Sequence, residues 1–449
     1  MTAAPHILIL GGGYAGFHAA RGLRRAALSG RVRVTVVEPR PYMTYKPLLP
    51  EVAGGHTQPR DVTVDLSRPL SFATVVGGTI ESVDCRSKTA VIRTLDGTER
   101  ATRYDHVVFA LGAVTKAAPI SGLAEHAVGF ESLEEAVFLR NHVLDRIQSA
   151  ASTTDAAVRN RALSFVFVGG GYTGVEAMAE LQDLASRAHA SYPTLDQAAQ
   201  HWILVEAAGR IATELPPSLS DWTLRLLRRR GITVKTNTEM RSCENGIVHL
   251  TDGTQLGADT IVWAAGVTPN PELDRTNAPR GSKGHVQANA RLQVIDNDGT
   301  PLPGAWAIGD NAEIPNLTAP SQPAFCPPTA QHALRQAQLV ADNILRVLDG
   351  TEPFAYRHTS LGTLASFGAR RGAGVVKGVP VRGQLAWVID KAYHGAALPS
   401  MSRRIRLAAN WAANVLAIRD LTSTSAVQHP RRTFERAIAG QTEEKNHAP

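Results

Sequence analysis

The chain is poor in cysteine. Three occur in 449 residues, at Cys85, Cys243 and Cys326. They lie far apart and form no Cys-x-x-Cys pair, so neither a zinc site nor a redox dithiol is expected, and no metal centre of another kind is indicated. So low a count suits a reducing cytoplasm. Long apolar runs are also missing. No stretch of 18 apolar residues exists, so no helix is expected to span a bilayer. The opening MTAAPHILILGGG has no basic leader and no cleavage site. Its apolar run goes straight into glycines and reads as a first strand rather than a signal peptide. Signs of extended disorder are absent as well: 43% hydrophobic and 19% charged residues make an ordinary globular composition.

The length is too great for one core and predicts two or three domains. Charge is unevenly spread. From Thr351 to Pro449 there are 14 Lys and Arg against six Asp and Glu, a balance of +8. The whole chain carries +7, so the first 350 residues sum to −1. A nearly neutral body with a basic end points to an anionic partner, either nucleic acid or a lipid surface, unless the arginines serve only solubility.

One internal echo organises the rest. His6 to Leu10 is an apolar run followed by Gly11-Gly12-Gly13-Tyr14-Ala15-Gly16. Ser164 to Val168 is another, followed by Gly169-Gly170-Gly171-Tyr172-Thr173-Gly174. Continuous apolar runs of five read as buried parallel strands. Helix formers follow each cluster, Phe17 to Leu28 and Val175 to Leu184. Each copy then has a second strand ending in an acid: Val32 to Val37 before Glu38, and Trp202 to Val205 before Glu206. Thr74 to Phe109 reads as a β-meander, and Ile232 to Trp263 repeats that plan.

The physical logic is that of G-x-G-x-x-G. One glycine makes the tight turn, one lets the backbone approach a pyrophosphate, and one lets helix and strand close up. The helix N-terminus supplies free N–H groups and a positive dipole end. Gly11, Gly13 and Gly16 fill these places in the first copy. Gly169, Gly171 and Gly174 fill them in the second. Glu38 and Glu206 stand where an acid accepts ribose hydroxyls. Two correctly framed copies predict two bound dinucleotides. Glu206 would repel the 2′-phosphate of NADPH, which favours NADH, although Arg210 stands close enough to weaken that preference.

On these residues the chain resembles the two-dinucleotide-binding flavoproteins, and within them the type II NADH dehydrogenases, NADH:quinone oxidoreductases that pump no protons. The resemblance rests also on Lys46-Pro47-Leu48-Leu49-Pro50-Glu51, Ala110-Leu111-Gly112, Trp263-Ala264-Ala265-Gly266, Ala307-Ile308-Gly309-Asp310 and Pro328-Thr329-Ala330-Gln331. It implies an α/β fold: two Rossmann-like dinucleotide-binding domains, for FAD and NAD, plus a C-terminal α+β membrane-associating region. The expected divisions are residues 1–115 with 285–350 for FAD, 116–284 for NADH, 351–426 for membrane docking, and a flexible tail at 427–449.

The same resemblance implies roles. FAD would lie along the first turn with Tyr14 and Ala15, beside Glu38, Pro39, Arg40, Val83, Ala110 and Gly112. Gly309 and Asp310 would hold its ribityl chain, and Lys46, Pro47 and Leu48 would line the ring. Thr329 and Ala330 would face the pyrimidine edge, where a helix N-terminus favours negative charge on the reduced ring. NADH would lie along the second turn, with Tyr172, Thr173, Ala265 and Gly266. Glu176 would stand by the nicotinamide, ordering it or handling protons, and Gln331 by the quinone. The chain departs from the family where Arg335 replaces a recurrent glutamine.

Ser402 to Ile418 shows an apolar stripe of Ile405, Ala408, Ala409, Ala412 and Leu416, with Trp411 and Val415 beside it and arginines around it. Leu385 to Leu398, with Trp387, Lys391 and Tyr393, has the character of an interfacial belt. The pattern alone is equally consistent with a dimer interface or core packing. The resemblance favours docking on an anionic membrane, at the inner face of the plasma membrane, and no nucleic acid. The leading expectation is therefore hydride transfer from NADH to flavin, then two electrons to menaquinone or ubiquinone. A soluble NAD(P)H-dependent flavoprotein reductase with another acceptor, and a redox-sensing flavoprotein with little turnover, are the alternatives.

Overall fold

The computed structural model describes residues 4–196, 199–360, 362–416, 420–432 and 434–438. Two parallel sheets dominate. In the first, His6–Leu10 is central, with Arg33–Val37 and then Thr74–Val76 on one side. His106–Phe109 and then Pro301–Ala307 lie on the other, and all four joints are parallel. Gln293–Ile295 closes the edge antiparallel. In the second sheet Ser164–Val168 lies between His201–Val205 and Thr260–Trp263. Ile232–Lys235 and Ala127–Val128 form its edges, again all parallel. Both glycine-bearing strands are fully buried, as continuous apolar runs require when helices cover both faces.

The expected meander is shorter than Thr74 to Phe109. Only Gly78–Asp84, Thr89–Thr94 and Glu99–Arg103 form the antiparallel unit. His106–Phe109 is buried along its whole length and belongs inside the parallel sheet instead. The second copy repeats this, with Met240–Ser242, Ile247–Leu250 and Gln255–Gly257 antiparallel and Thr260–Trp263 returned to the sheet. A two-stranded link, Ala113–Thr115 against Val267–Pro269, joins the halves.

The helices that frame the site are α1 (Tyr14–Gly22), α2 (Leu49–Ala53), α3 (Leu133–Ser152), α4 (Tyr172–His189), α5 (Ala330–Leu348), α6 (Gln384–Ala397) and α7 (Met401–Leu416). α4 runs past the expected Leu184 because Leu184, Ala185 and Ala188 keep an apolar face against the second core. α5 starts where the Pro-rich loop ends, with Thr329 capping the His332 N–H. α7 begins at Met401. The rest of its expected span, 417–418, and residues 433 and 439–449 of the expected tail lie outside the described residues.

The first core gathers Ile7 to Leu10, Phe17, Phe109, Trp306 and the inner face of α5. Leu273 and Ala278, which precede the expected junction at residue 285, pack there too. The second core joins Phe165, Phe167 and Trp202 to α3 and α4, with Phe165 and Trp202 stacked at 4.2 Å. An antiparallel sheet from the C-terminal part, Gly362–Ser366, Gly372–Val376 and Val379–Arg382, lies over this core, and Phe367, Leu398 and Leu407 are buried in it. No helix among the described residues is long and apolar enough to cross a membrane.

Candidate functional site

Both sheets turn the C-terminal ends of their strands toward one cavity of about 1720 Å³. Gly11, Glu38, Ala110 and Ile308 follow the strands of the first sheet into it, and Gly169, Glu206 and Ala264 follow those of the second. Strand ends at a topological switch point are where open α/β sheets bind ligands. The volume exceeds the roughly 300–1,000 Å³ of a site for one drug-sized molecule.

The two turns are built alike. Gly11 and Gly169 have φ of +99° and +114°, in the region that favours glycine, and a Cβ on either would sit 2.4 Å from a neighbouring carbonyl oxygen. A Cβ on Gly16 or Gly174 would meet the oxygen of Gly11 or Gly169 at 1.9 or 2.0 Å. The middle glycines differ in kind. Gly13 has nothing within 4 Å of such a Cβ, and Gly171 has only a glutamate oxygen at 3.5 Å. Bare backbone therefore faces the cavity at both places. The helices beginning at Tyr14 and Tyr172 carry no side-chain cap, so their first N–H groups are available to a phosphate. These features fit two dinucleotide pyrophosphates.

Glu38 and Glu206 lock the turns as well as lining the cavity. Glu38 accepts from the N–H of Gly12 at 2.8 Å and of Arg40 at 3.2 Å. Glu206 accepts from the N–H of Gly170 at 2.6 Å and of Ala208 at 2.7 Å. Pro39, Arg40, Lys46 and Pro47 line the first half, together with Tyr14, Ala15 and Gly112. Gly309 and Asp310 lie in a 3-10 turn, where the Gly309 N–H donates to Gln336 at 2.8 Å. Burial raises the Asp310 carboxyl above its ordinary range, and the Lys46 ammonium opposes that. Thr329 and Ala330 present the N-terminus of α5 to the cavity, while Tyr172, Thr173, Glu176, Ala265 and Gly266 line the second half.

Several expected residues lie elsewhere. Gly16 and Gly174 act inside the turns, not at the cavity wall. Leu48 points into the second core, and Leu49 takes the cavity position. Val83 is buried in the first core, and Ile80 lines the cavity in its place. Gln331 does not line the cavity; its amide donates to the Gly362 carbonyl at 2.8 Å. Lys391, expected in an interfacial belt, is buried and ion-paired to Glu51. Trp411, expected beside the apolar stripe of an interfacial helix, turns inward and donates to Glu51 at 2.8 Å.

A polar layer beneath the second turn escaped sequence reasoning. Glu176 accepts from the Ser366 N–H at 2.7 Å. Burial, and then the nearby Asp390, raise its carboxyl well above the usual range. One turn along α4, Glu180 meets His56 at 3.2 Å. On α6, Lys391 lies near Asp390, and Asp390 pairs with His394 at 3.3 Å. Burial works against the charge of Lys391, but Glu51, Asp390 and Glu180 outweigh it and raise the ammonium above its ordinary value. At the other side of the cavity Glu131, Ser132 and Glu135 present the capped start of α3, with Lys46 bridging to Glu131 at 3.2 Å.

Residues 5–337 match the pyridine nucleotide-disulphide oxidoreductase family. The chain belongs to that family. Within it, the chain is 29% identical over 391 residues to the type II NADH:quinone oxidoreductase of Staphylococcus aureus strain NCTC 8325, covering 86% of this chain and 93% of that protein. Its fold matches that of NDH2 from Plasmodium falciparum in complex with NADH, with a TM-score of 0.84 at 18% identity, over 93% of this chain and 99% of the other. A sulfide:quinone oxidoreductase from Aquifex aeolicus matches less closely, with a TM-score of 0.67 over 92% of this chain and 95% of the other. The disulphide chemistry in the family's name has no counterpart in the cysteines here. All three are free, and burial raises the thiols of Cys85 and Cys326 to about 12 and about 11.

Proposed function

We propose that this chain transfers hydride from NADH to FAD and then two electrons to a quinone, without moving protons across a membrane. The observation that carries the reading is the pair of matching glycine turns opening into one cavity. The first turn and the start of α1 would hold the FAD pyrophosphate, with Glu38 at the ribose, Asp310 at the ribityl chain and Lys46 along the ring. The N-terminus of α5 would face the pyrimidine edge. The second turn and the start of α4 would hold NADH, with Glu176 beside the nicotinamide. Bound FAD would supply the ring that accepts hydride and releases electrons. Glu176, buried and with its carboxyl raised above the usual range by that burial, would carry a proton at the cavity floor. Quinone would enter near Ala330 and Gln331. The flavin-binding unit would take residues 1–115 and resume near Asn270, because Leu273 and Ala278 pack in the first core.

The acceptor would come from a membrane. Leu385, Val388, Met401 and Ile405 on α6 and α7 are 54–66% exposed. They lie beside Arg382, Arg403 and Arg406 in a region of net charge +8. Exposed apolar side chains with arginines close by in the sequence suit an anionic bilayer surface. We place the protein at the inner face of the plasma membrane.

The test is anaerobic titration of the flavin-loaded protein. NADH should bleach the flavin, NADPH should do so poorly, and a menaquinone or ubiquinone analogue should restore the colour. A protein that takes up no flavin, or whose reduced flavin no quinone reoxidises, sinks the reading.

A further inference from the structure

α7 has an exposed face and a face bonded to the body. Met401 and Ile405 on one are 66% and 64% exposed. From the other, three polar side chains reach the body within little more than a turn. Asn410 donates to Asp61, Trp411 donates to Glu51 at 2.8 Å, and Asn414 donates to the His56 carbonyl at 2.6 Å. Of these three, Trp411 alone bonds to a member of the buried ion pair. Glu51 is 2% exposed, and its two oxygens divide the work. One faces the Lys391 ammonium; the other accepts from Trp411 and from the Thr57 hydroxyl at 2.8 Å. Lys391 in turn stands near Asp390, whose partner His394 is bonded to the Tyr45 hydroxyl at 2.9 Å. Glu176, at the cavity wall, completes the layer.

A buried carboxylate with two donors on one oxygen is held in a fixed rotamer, and a buried ammonium needs its counter-charge fixed in place. We propose that Trp411 is a positioning residue: its indole N–H fixes Glu51, Glu51 fixes Lys391, and the seating of α7 thereby sets the electrostatics of the cavity floor. This rests on the quinone-reductase reading and adds to it a link between the outward-facing helix and the acceptor step. Hydride transfer from NADH to bound flavin takes no proton from the protein, whereas quinone reduction takes up two, so the acceptor step is the one that depends on this floor.

The experiment uses the flavin-loaded protein and a double-mutant cycle. Trp411→Phe keeps the ring and removes the N–H. It should slow reoxidation of the reduced protein by a short-chain quinone about tenfold or more, the scale of one hydrogen bond to a charged group. Its reduction by NADH and its binding to phosphatidylglycerol vesicles should stay unchanged. In a Glu51→Gln background the same substitution should have no further effect, because coupled residues do not add. Trp411→His, which keeps a ring N–H, should retain most of the wild-type rate. Without turnover, reductive methylation read by mass spectrometry should leave Lys391 unmodified in the wild type and modify it in Trp411→Phe. An equal slowing in both backgrounds, an equal loss in both half-reactions, or a Lys391 that stays protected would overturn the proposal. A wild type that passes no electrons to quinone would instead overturn the parent reading.

Discussion

The two glycine turns have the same construction, yet the helices that leave them do different work. Counting from Tyr14 and Tyr172, His18 on α1 stands where Glu176 stands on α4, and Gly22 stands where Glu180 stands. On α1 the pair is neutral and small. Burial lowers the His18 imidazole to about 4, and a Cβ on Gly22 would meet the Ala341 methyl of α5 at 2.6 Å. On α4 the pair is two carboxylates facing Asp390, Lys391 and His56. The turn fixes where a pyrophosphate can lie. The fifth and ninth residues of the helix decide whether its inner face packs a neighbouring helix closely or builds a charged floor.

The largest expected effect comes from breaking the feature the halves share. Gly16→Ala places a methyl group 1.9 Å from the Gly11 oxygen, and Gly174→Ala places one 2.0 Å from the Gly169 oxygen. Backbone cannot yield to that at small cost. If the halves hold different dinucleotides, Gly16→Ala should purify colourless. Gly174→Ala should keep its flavin and lose more than roughly 100-fold in kcat/KM for NADH, the scale of a misplaced reactant. Flavin absorbance and steady-state kinetics distinguish the two, and identical phenotypes would count against separate sites.

Next comes the feature that only α4 has. Glu176→Gln should lower quinone-dependent kcat by about 100-fold, the lower range for a positioned proton donor. The sign with pH follows from the raised carboxyl. Wild-type turnover should be full at low pH and fall as pH rises through that raised value, and the substituted protein should lack this alkaline limb. A limb of unchanged position in the variant assigns it to another group. The corresponding change on α1 should leave the limb where it is.

A smaller effect compares the acids at the ends of the second strands. Glu206→Ala should raise NADPH use relative to NADH about tenfold, since it removes a like charge from the 2′-phosphate position. Glu38→Ala should change no nucleotide preference and instead weaken flavin retention. Arg210 donates to the Thr213 carbonyl at 3.1 Å within its own loop, so the expected change is attributed to the carboxylate.

The parts of the molecule that are local in sequence were legible in it. Each turn, its strand and its acid fall within about forty residues, and glycine spacing carries a steric meaning that tertiary context does not change. The polar floor was not legible, because Glu51, Glu180, Ser366, Asp390 and Trp411 come from distant segments and meet only in the fold. Amphipathic patterning located the helix α7 but did not say which face packs inward, so Trp411 read as a membrane anchor, as did Lys391 on α6. Val83 failed for a register reason. The strand shifts register between Ile80 and Ser82, which buries both Ile80 and Val83 and breaks simple alternation.

The smallest effect tests the neutral side of the comparison. His18 is held uncharged by burial, with Arg21 adding to the shift, and its Nε2 has no hydrogen-bond partner among the described residues. Its folded value, about 4, lies below the 6.5 of an unperturbed imidazole. The stability this contributes is present above the unfolded value and is lost as pH falls toward the folded one, because the unfolded chain takes up the proton first. Between pH 7 and pH 6 that loss is at most about 1 kcal/mol for a single group. His18→Gln cannot take up this proton, so its urea midpoint should fall less than that of the wild type over the same interval. Other buried histidines, His106 and His332 among them, titrate in both proteins and cancel in the difference. If the two midpoints move in parallel, His18 is not the neutral counterpart of Glu176. The contrast between the helices would then rest on Gly22 and its contact with α5 alone.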